Sequence, residues 1–276
     1  MKNLISIDVE DYYHSAYIRD YEKNPVKLSK ESIKPILDLL DKHNTRATFF
    51  ILGDVAVKEP EVIEMINENN HDIASHGFTH IPLWNLNKEM FKEELEKTNK
   101  AVKKITKRNI QGFRAPYFSI DKKTAWAFDV LEDLKYVYDS SIFPMKTPLY
   151  GLPGAPLNPY YPNKNDLVTD GGKIKEYPLS IVNLLGINLP GPGGFYLRTY
   201  PLILTNKIIK KLNKNNRKIN LYFHPWETNN NIPRIKAPIK NRFITYYNIK
   251  NTLKRIEYLL NKYKFHSFED DLDEQG

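Results

Sequence analysis

Apolar residues recur along this chain with two alternating periods. Residues 3–8 (Asn-Leu-Ile-Ser-Ile-Asp) read as a short strand that ends on an acid. Residues 29–43 carry Ile33, Ile36, Leu37 and Leu40 at helical spacing behind Ser29, a residue type that caps helices. Pro35 is expected within the first turn of that helix, where its missing N–H costs least. Residues 46–53 are a near-continuous apolar run ended by Gly53, the pattern of a strand buried on both faces of a parallel sheet. Residues 60–69 open with Pro60 and predict a helix with Val62, Ile63 and Ile66 inward. The alternation continues with a strand at 71–75 and an amphipathic helix at 88–105 whose inward face is Met90, Phe91, Leu95, Val102 and Ile105. A strand over 110–114 then ends at Arg114, a helix spans 122–132, and a strand over 135–139 ends at Asp139.

Strand and helix alternating through short connections specify an α/β fold with a parallel sheet. The pattern breaks at 143–175, which is rich in Pro, Gly, Asn and Tyr and reads as a long loop or a β-hairpin insertion. Beyond it come a strand at 176–183, a tight turn at 189–194, a helix at 200–213, a strand at 218–224 ending at His224, a helix at 247–263 and a short strand near 264–267. The acidic tail Glu269–Gly276 is expected to fray. The whole reads as a single catalytic domain over 1–276, with an insertion at about 143–196 and a C-terminal extension at about 225–270. There are no internal repeats.

Composition narrows the chemistry. The 276 residues include no cysteine, which removes disulfides, thiolate catalysis and Cys-type zinc sites. Hydrophobic residues make up 41% of the chain, enough for a sizeable core. The N-terminus lacks the apolar stretch of a signal peptide, and no run approaches the roughly 20 apolar residues of a membrane span, so the chain reads as soluble and cytoplasmic. The net charge of +8 invites an anionic partner, but the lysines look scattered, with no basic block and no nucleic-acid module. The charge is therefore read as spread over solvated faces.

Polar residues gather at the carboxyl ends of the expected strands: Asp8, Glu10 and Asp11, then His76 and His80, Arg114, Asp139 and His224. In parallel α/β barrels that face carries the active site. His76 and His80, four residues apart, would share a face of one helical turn and could bind a metal together. One carboxylate of Asp8, Glu10 and Asp11 could complete a two-His, one-carboxylate site, and another could serve as general base. Strand alternation puts Asp8 and Glu10 on one face. Arg114 could hold a catalytic carboxylate ionised, and His224 could act as general acid.

Taken in order, these segments resemble the motifs of the polysaccharide deacetylase family, also called the NodB-homology or carbohydrate esterase 4 family. Ser75-His76-Gly77-Phe78-Thr79-His80 is similar to the family's histidine motif, Arg114-Ala115-Pro116-Tyr117 to its third, Tyr138-Asp139-Ser140-Ser141 to its fourth and Leu221-Tyr222-Phe223-His224 to its fifth. Where the family has two adjacent aspartates, this chain has Asp8-Val9-Glu10-Asp11. That start resembles a subgroup with a C-terminal extension associated with exopolysaccharide biosynthesis. Asp139-Ser140-Ser141-Ile142-Phe143-Pro144, Gly191-Pro192-Gly193-Gly194-Phe195-Tyr196 and His224-Pro225-Trp226-Glu227 are similar to it as well.

The resemblance implies a distorted (β/α)7–8 barrel and removal of N-acetyl groups from an N-acetylated carbohydrate. It implies a divalent ion, zinc or alternatively cobalt, nickel, manganese or iron, held by His76, His80 and either Glu10 or Asp11. Asp8 would then be the base, oriented by Arg114. The backbone N–H of Tyr117 would stabilise the oxyanion, and His224 would be the acid, tuned by Asp139. Tyr117, Phe118, Phe195, Trp226 and Trp84 are candidates for stacking on sugar rings, with core packing the competing role. Two other functions fit the same scaffold: a C–N hydrolase of small cyclic amides or imides, and a catalytically silent glycan-binding relative.

Overall fold

The computed structural model describes residues 1–274. Eight strands form its principal sheet: β1 (Asn3–Val9), β2 (Thr48–Ile51), β3 (Asp72–Ser75), β4 (Gly112–Phe113), β5 (Tyr138–Asp139), β6 (Lys175–Glu176), β7 (Asn220–Phe223) and β8 (Phe265–His266). The helices are α1 (Ser29–Lys42), α2 (Gly53–Lys58), α3 (Pro60–Glu68), α4 (Lys88–Thr106), α5 (Ala127–Asp133), α6 (Phe195–Thr199), α7 (Leu202–Lys214), α8 (Ile239–Tyr246), α9 (Thr252–Lys262) and α10 (Phe268–Asp273). The strand order is β7-β1-β2-β3-β4-β5-β6, with β8 paired to β1. β1 runs parallel to β7 and β8, and β3–β4, β4–β5 and β5–β6 are parallel pairs, so the α/β class read from the alternation holds. No helix among the described residues is long and apolar enough to cross a membrane.

The chain divides into two compact units. One comprises residues 1–49, 64–72 and 191 onward; the other comprises 50–63 and 73–190. In the first, β1 is buried along its full length, in register with β7 from Leu4 opposite Asn220 to Ile7 opposite Phe223. α1 buries Ile33, Ile36, Leu37 and Leu40 as its spacing requires. Each such side chain contributes roughly 1.5–3 kcal/mol on burial. Pro35 does not lie in the first turn. The Asp11 carboxylate accepts from the Leu28 N–H (3.1 Å) and from the Ser29 hydroxyl (2.9 Å), which starts the helix at Ser29 and leaves Pro35 in its interior. Both Pro35 and Glu31, whose carbonyl loses its partner, are exposed, so water can replace the missing bond.

Several boundaries moved for local reasons. The helix expected at 122–132 begins only at Ala127. Asp121 accepts from the Lys123 and Thr124 N–H groups and the Thr124 hydroxyl donates to the Ser119 carbonyl, which holds 119–124 in turns. The strand expected at 176–183 is divided at Pro178 into β6 and the start of a hairpin, Ile181–Leu184 with Ile187–Pro190. The 143–175 region contains a second hairpin, Pro162–Asn163 with Asp166–Asp170. The helix expected at 200–213 is α7, which starts at Leu202 after Pro201, and a further short helix, α6, precedes it. Met90 lies 47% exposed, because the inward face of α4 is set by Phe91, Leu95, Thr98 and Val102.

The acidic tail is ordered through Glu274; Gln275 and Gly276 lie outside the described residues. Ser267 caps α10 through the Asp270 N–H at 3.0 Å, Phe268 is fully buried, and Arg46 pairs with Glu269 and Asp270. Asp271 is buried against Lys218 and lies 3.2 Å from His266 Nε2. Burial opposes its ionisation, but these two neighbours outweigh that and depress its pKa to about 2. A depressed carboxylate contributes stability that is present above its unfolded value of 3.8 and is lost as pH falls through about 2. Asp271→Asn is therefore expected to destabilise the protein by about 2 kcal/mol at pH 7. The difference in thermal midpoint between wild type and variant should narrow as pH falls from 4 towards 2.

Candidate functional site

In the second unit His76, Arg114, Ser140 and Tyr177 each follow a strand end, and a backbone bond to the neighbouring strand fixes their positions. The His76 N–H donates to the Ile51 carbonyl (2.8 Å), the Arg114 N–H to Ser75 (2.9 Å), the Ser140 N–H to Phe113 (3.0 Å) and the Tyr177 N–H to Asp139 (2.8 Å). Parallel pairing thus delivers these residues to one end of the sheet, a consequence of register rather than of any one side chain.

His76 and His80 come together, but not on a helical turn. Residues 76–80 form a loop in which Gly77 has φ 77° and His80 φ 58°. This left-handed backbone curls the loop and brings the imidazole centroids to 5.1 Å. Glu94 on α4 holds the loop from one side, its carboxylate accepting from the Phe78 N–H (2.9 Å), the Thr79 N–H (2.8 Å) and the Thr79 hydroxyl (3.0 Å). The start of α2 holds it from another, with the Gly53 N–H on the Gly77 carbonyl and the Asp54 N–H on Phe78. A Cβ at Gly53 would fall 2.3 Å from the Phe78 ring, so that approach needs glycine. His76 Nδ1 donates to the Arg114 carbonyl at 2.8 Å, which leaves Nε2 as a lone-pair donor aimed away from the backbone. Both imidazoles are buried.

Arg114 is fully buried, donating to the Ser140 carbonyl (3.1 Å) and hydroxyl (3.0 Å), with its guanidinium 4.0 Å from the centre of the Phe50 ring. After it, Tyr117 (φ 57°) and Phe118 (φ 49°) occupy consecutive left-handed positions, a strained turn of the kind concentrated at functional sites. The Tyr117 ring lies 4.7 Å from His80 and 6.5 Å from Trp84, which is 43% exposed. Phe118 is buried against Tyr150. Asp139 faces Glu176, its register partner on β6, and accepts from the Ser141 hydroxyl at 2.5 Å. Burial raises both carboxyls, and the Asp139 charge raises Glu176 further.

In the first unit, Asp8 and Glu10 face the same imidazole, though not through strand alternation: β1 ends at Val9, and the Glu10 N–H turns back onto the Asp8 carbonyl at 2.9 Å. His224 Nε2 lies 3.1 Å from Glu10 Oε1 and 3.9 Å from Asp8 Oδ2. The Asp11 carboxylate points elsewhere, onto Leu28 and Ser29. The partner of His224 Nδ1 is Glu227, at 2.9 Å, a residue to which the sequence reading gave no role although it lies in a quoted motif. Glu227 also accepts from the His224 N–H (3.0 Å) and from Arg198 Nε (2.8 Å). Both members of the Arg198–Glu227 pair are about 1% exposed. Burial alone would lower the His224 pKa, but Glu10, Glu227 and Asp8 outweigh it and raise it to about 9. Burial would raise Glu227, and Arg198 and His224 hold it near 2 instead. Trp226 is 4% exposed, stacked on His224 and built into a cluster with Tyr12, Ile18, Leu28, Ile232 and Ile249, so its place is in the core. Phe195 packs edge-on to Phe243 at 6.1 Å.

Imidazoles, carboxylates and an arginine thus lie at or just past the carboxyl ends of parallel strands, the face that carries active sites in α/β barrels. Residues 20–138 match the family model of the polysaccharide deacetylases, and residues 140–273 match a domain of unknown function, DUF3473. The chain is 31% identical over 126 residues to a peptidoglycan-N-acetylglucosamine deacetylase of Bacillus cereus, an alignment covering 43% of this chain and 46% of that one. It thus spans less than half the length of that relative. Among solved structures it shares its fold with a Mycobacterium smegmatis protein provisionally described as a polysaccharide deacetylase, at TM-score 0.63 and 16% identity, covering 99% of this chain and 88% of the other. It also resembles a carbohydrate esterase 4 family pseudoenzyme from Bacillus anthracis at TM-score 0.50 and 14% identity, covering 98% and 65%.

Glu94 holds two backbone groups of the loop that presents both histidines. Glu94→Ala is expected to unfasten that loop, so that the Phe78 and Thr79 amides exchange with deuterium at least ~10-fold faster, which hydrogen-exchange NMR reads.

Proposed function

We propose that the protein is a metal-dependent deacetylase that hydrolyses the acetamide of an N-acetylated carbohydrate. The observation that carries this reading is the loop-borne pair His76 and His80, with His76 Nδ1 committed to a backbone carbonyl and Nε2 left to coordinate. Two imidazoles and one carboxylate make a donor set suited to a divalent cation such as zinc, and the carboxylate role is assigned to Glu10. Glu10 is preferred over Asp11 because the Asp11 carboxylate is used at the start of α1. The ion, when bound there, supplies Lewis acidity toward water and the amide oxygen.

The remaining steps belong to the chain's own groups. Asp8 accepts a proton from the attacking water, with Arg114 assigned to orient it. His224, with its Nδ1 held by Glu227 and its Nε2 toward Asp8 and Glu10, delivers a proton to the leaving amine. Glu227 fixes the imidazole through Nδ1, so that the transferable proton is on Nε2, the side of Asp8 and Glu10. The Tyr117 N–H is assigned to the oxyanion, and the half-exposed rings of Tyr117 and Trp84 to the sugar face. The family match and the peptidoglycan-deacetylating relative support the carbohydrate substrate. The Asp8-Val9-Glu10-Asp11 start and the matched C-terminal region support membership of the exopolysaccharide-associated subgroup.

The test is acetate release from peptidoglycan fragments and chitooligosaccharides by zinc-loaded protein. Release should stop with chelator, fall about 10²- to 10⁴-fold in Asp8→Asn, and vanish in His76→Ala together with zinc binding. Zinc-loaded protein that releases no acetate across the panel, or that opens cyclic amides instead, would overturn the proposal.

A further inference from the structure

The expectation of scattered charge overlooks one stretch. Between Thr228 and Ile256 there is no Asp or Glu, while there are seven cations: Arg234, Lys236, Lys240, Arg242, Lys250, Lys254 and Arg255. The first five are exposed, and among the described residues none of those five is in an ion pair. The stretch includes α8, which the apolar pattern did not reveal. α8 carries the exposed Lys240 and Phe243 at helical spacing, and Tyr247 follows its last residue, with Phe243 52% and Tyr247 42% exposed and their rings 4.9 Å apart. Phe195 extends this row from α6. Beside it the Arg234 guanidinium lies over the Tyr246 ring at 4.5 Å, and Arg242 acts on the same tyrosine. Unpaired cations interleaved with exposed rings offer charge to an anion and flat apolar faces to sugar rings.

The surface is continuous with the proposed acid. Arg198 donates to the carbonyls of Ile244 (2.8 Å), Thr245 (3.1 Å) and Tyr247 (2.7 Å) at the end of α8, and its Nε holds Glu227, the partner of His224. One buried guanidinium therefore ties the cationic face to the imidazole.

Resting on the deacetylase reading, we propose that the α8 face binds the substrate's acidic portion, so that the preferred glycan is anionic: an N-acetylated polymer whose other sugars carry carboxylate or phosphate. Lys240, Arg242 and Arg234 engage the anionic groups. Phe243, Tyr247 and Phe195 receive sugar faces.

The test measures binding of the full chain to an oligosaccharide of alternating N-acetylglucosamine and glucuronic acid, and to an N-acetylglucosamine oligomer of equal length, at low and high salt. The acidic oligomer should bind at least ~10-fold more tightly, and the advantage should shrink with salt. Lys240→Glu with Arg242→Glu should abolish the advantage at an unchanged thermal midpoint, and Phe243→Ala should weaken both ligands. Equal binding of the two oligomers, or a double variant that keeps the preference, would sink the proposal. Tighter binding of single-stranded nucleic acid or of anionic vesicles would also sink it, by reassigning the face. Binding does not require turnover, so the preference can survive a protein that releases no acetate, and the two readings fail separately.

Discussion

The arrangement depends on the parallel register at the carboxyl end of the sheet. A backbone N–H just past each strand is committed to the neighbouring strand's carbonyl, from His76 on Ile51 to Arg114 on Ser75 and Ser140 on Phe113. The chain is thereby forced to leave the sheet at matched heights. Polar side chains at those exits meet because the ladder places them, and the unpaired strand ends supply the polar surroundings that buried charges need. The same register sets Asp139 opposite Glu176, so two buried carboxyls face each other and burial raises both.

Charge in the first unit is arranged as a chain of partners. Arg198 neutralises Glu227, Glu227 fixes His224, and His224 faces Glu10 and Asp8. Removing one member of a buried pair leaves an uncompensated ion, a cost of about 3–5 kcal/mol. Such a chain resists piecemeal change and couples the imidazole to the end of α8. It also separates the three acids that follow one another in sequence. Asp8 and Glu10 turn to the imidazole, while Asp11 turns to the start of α1.

How much was legible varied with the kind of signal. Long periodic segments were readable: α1 and α4 fall within a residue or two of their expected bounds, since a buried stripe must repeat every 3.6 residues. Short helices were not. α2, α8 and α10 bury too few residues to show a period; neighbouring segments hold them, and only α10 of the three has a side-chain cap, Ser267. Glu94, Glu227 and Arg198 escaped for a related reason: each acts through a partner 3 to 49 residues away, and a lone charged residue gives no sign of that in sequence.

The sequence by itself determined the α/β class, the strand exits and the identity of the chemical groups gathered there, because hydrophobic period and strand ends are local properties. Tertiary structure decided which groups meet. It placed two histidines together through a left-handed loop rather than a helical turn, chose Glu227 as the partner of His224, and sent Asp11 to a helix start. Those outcomes depend on backbone conformation and buried electrostatics, which are fixed only when distant segments pack and exclude water.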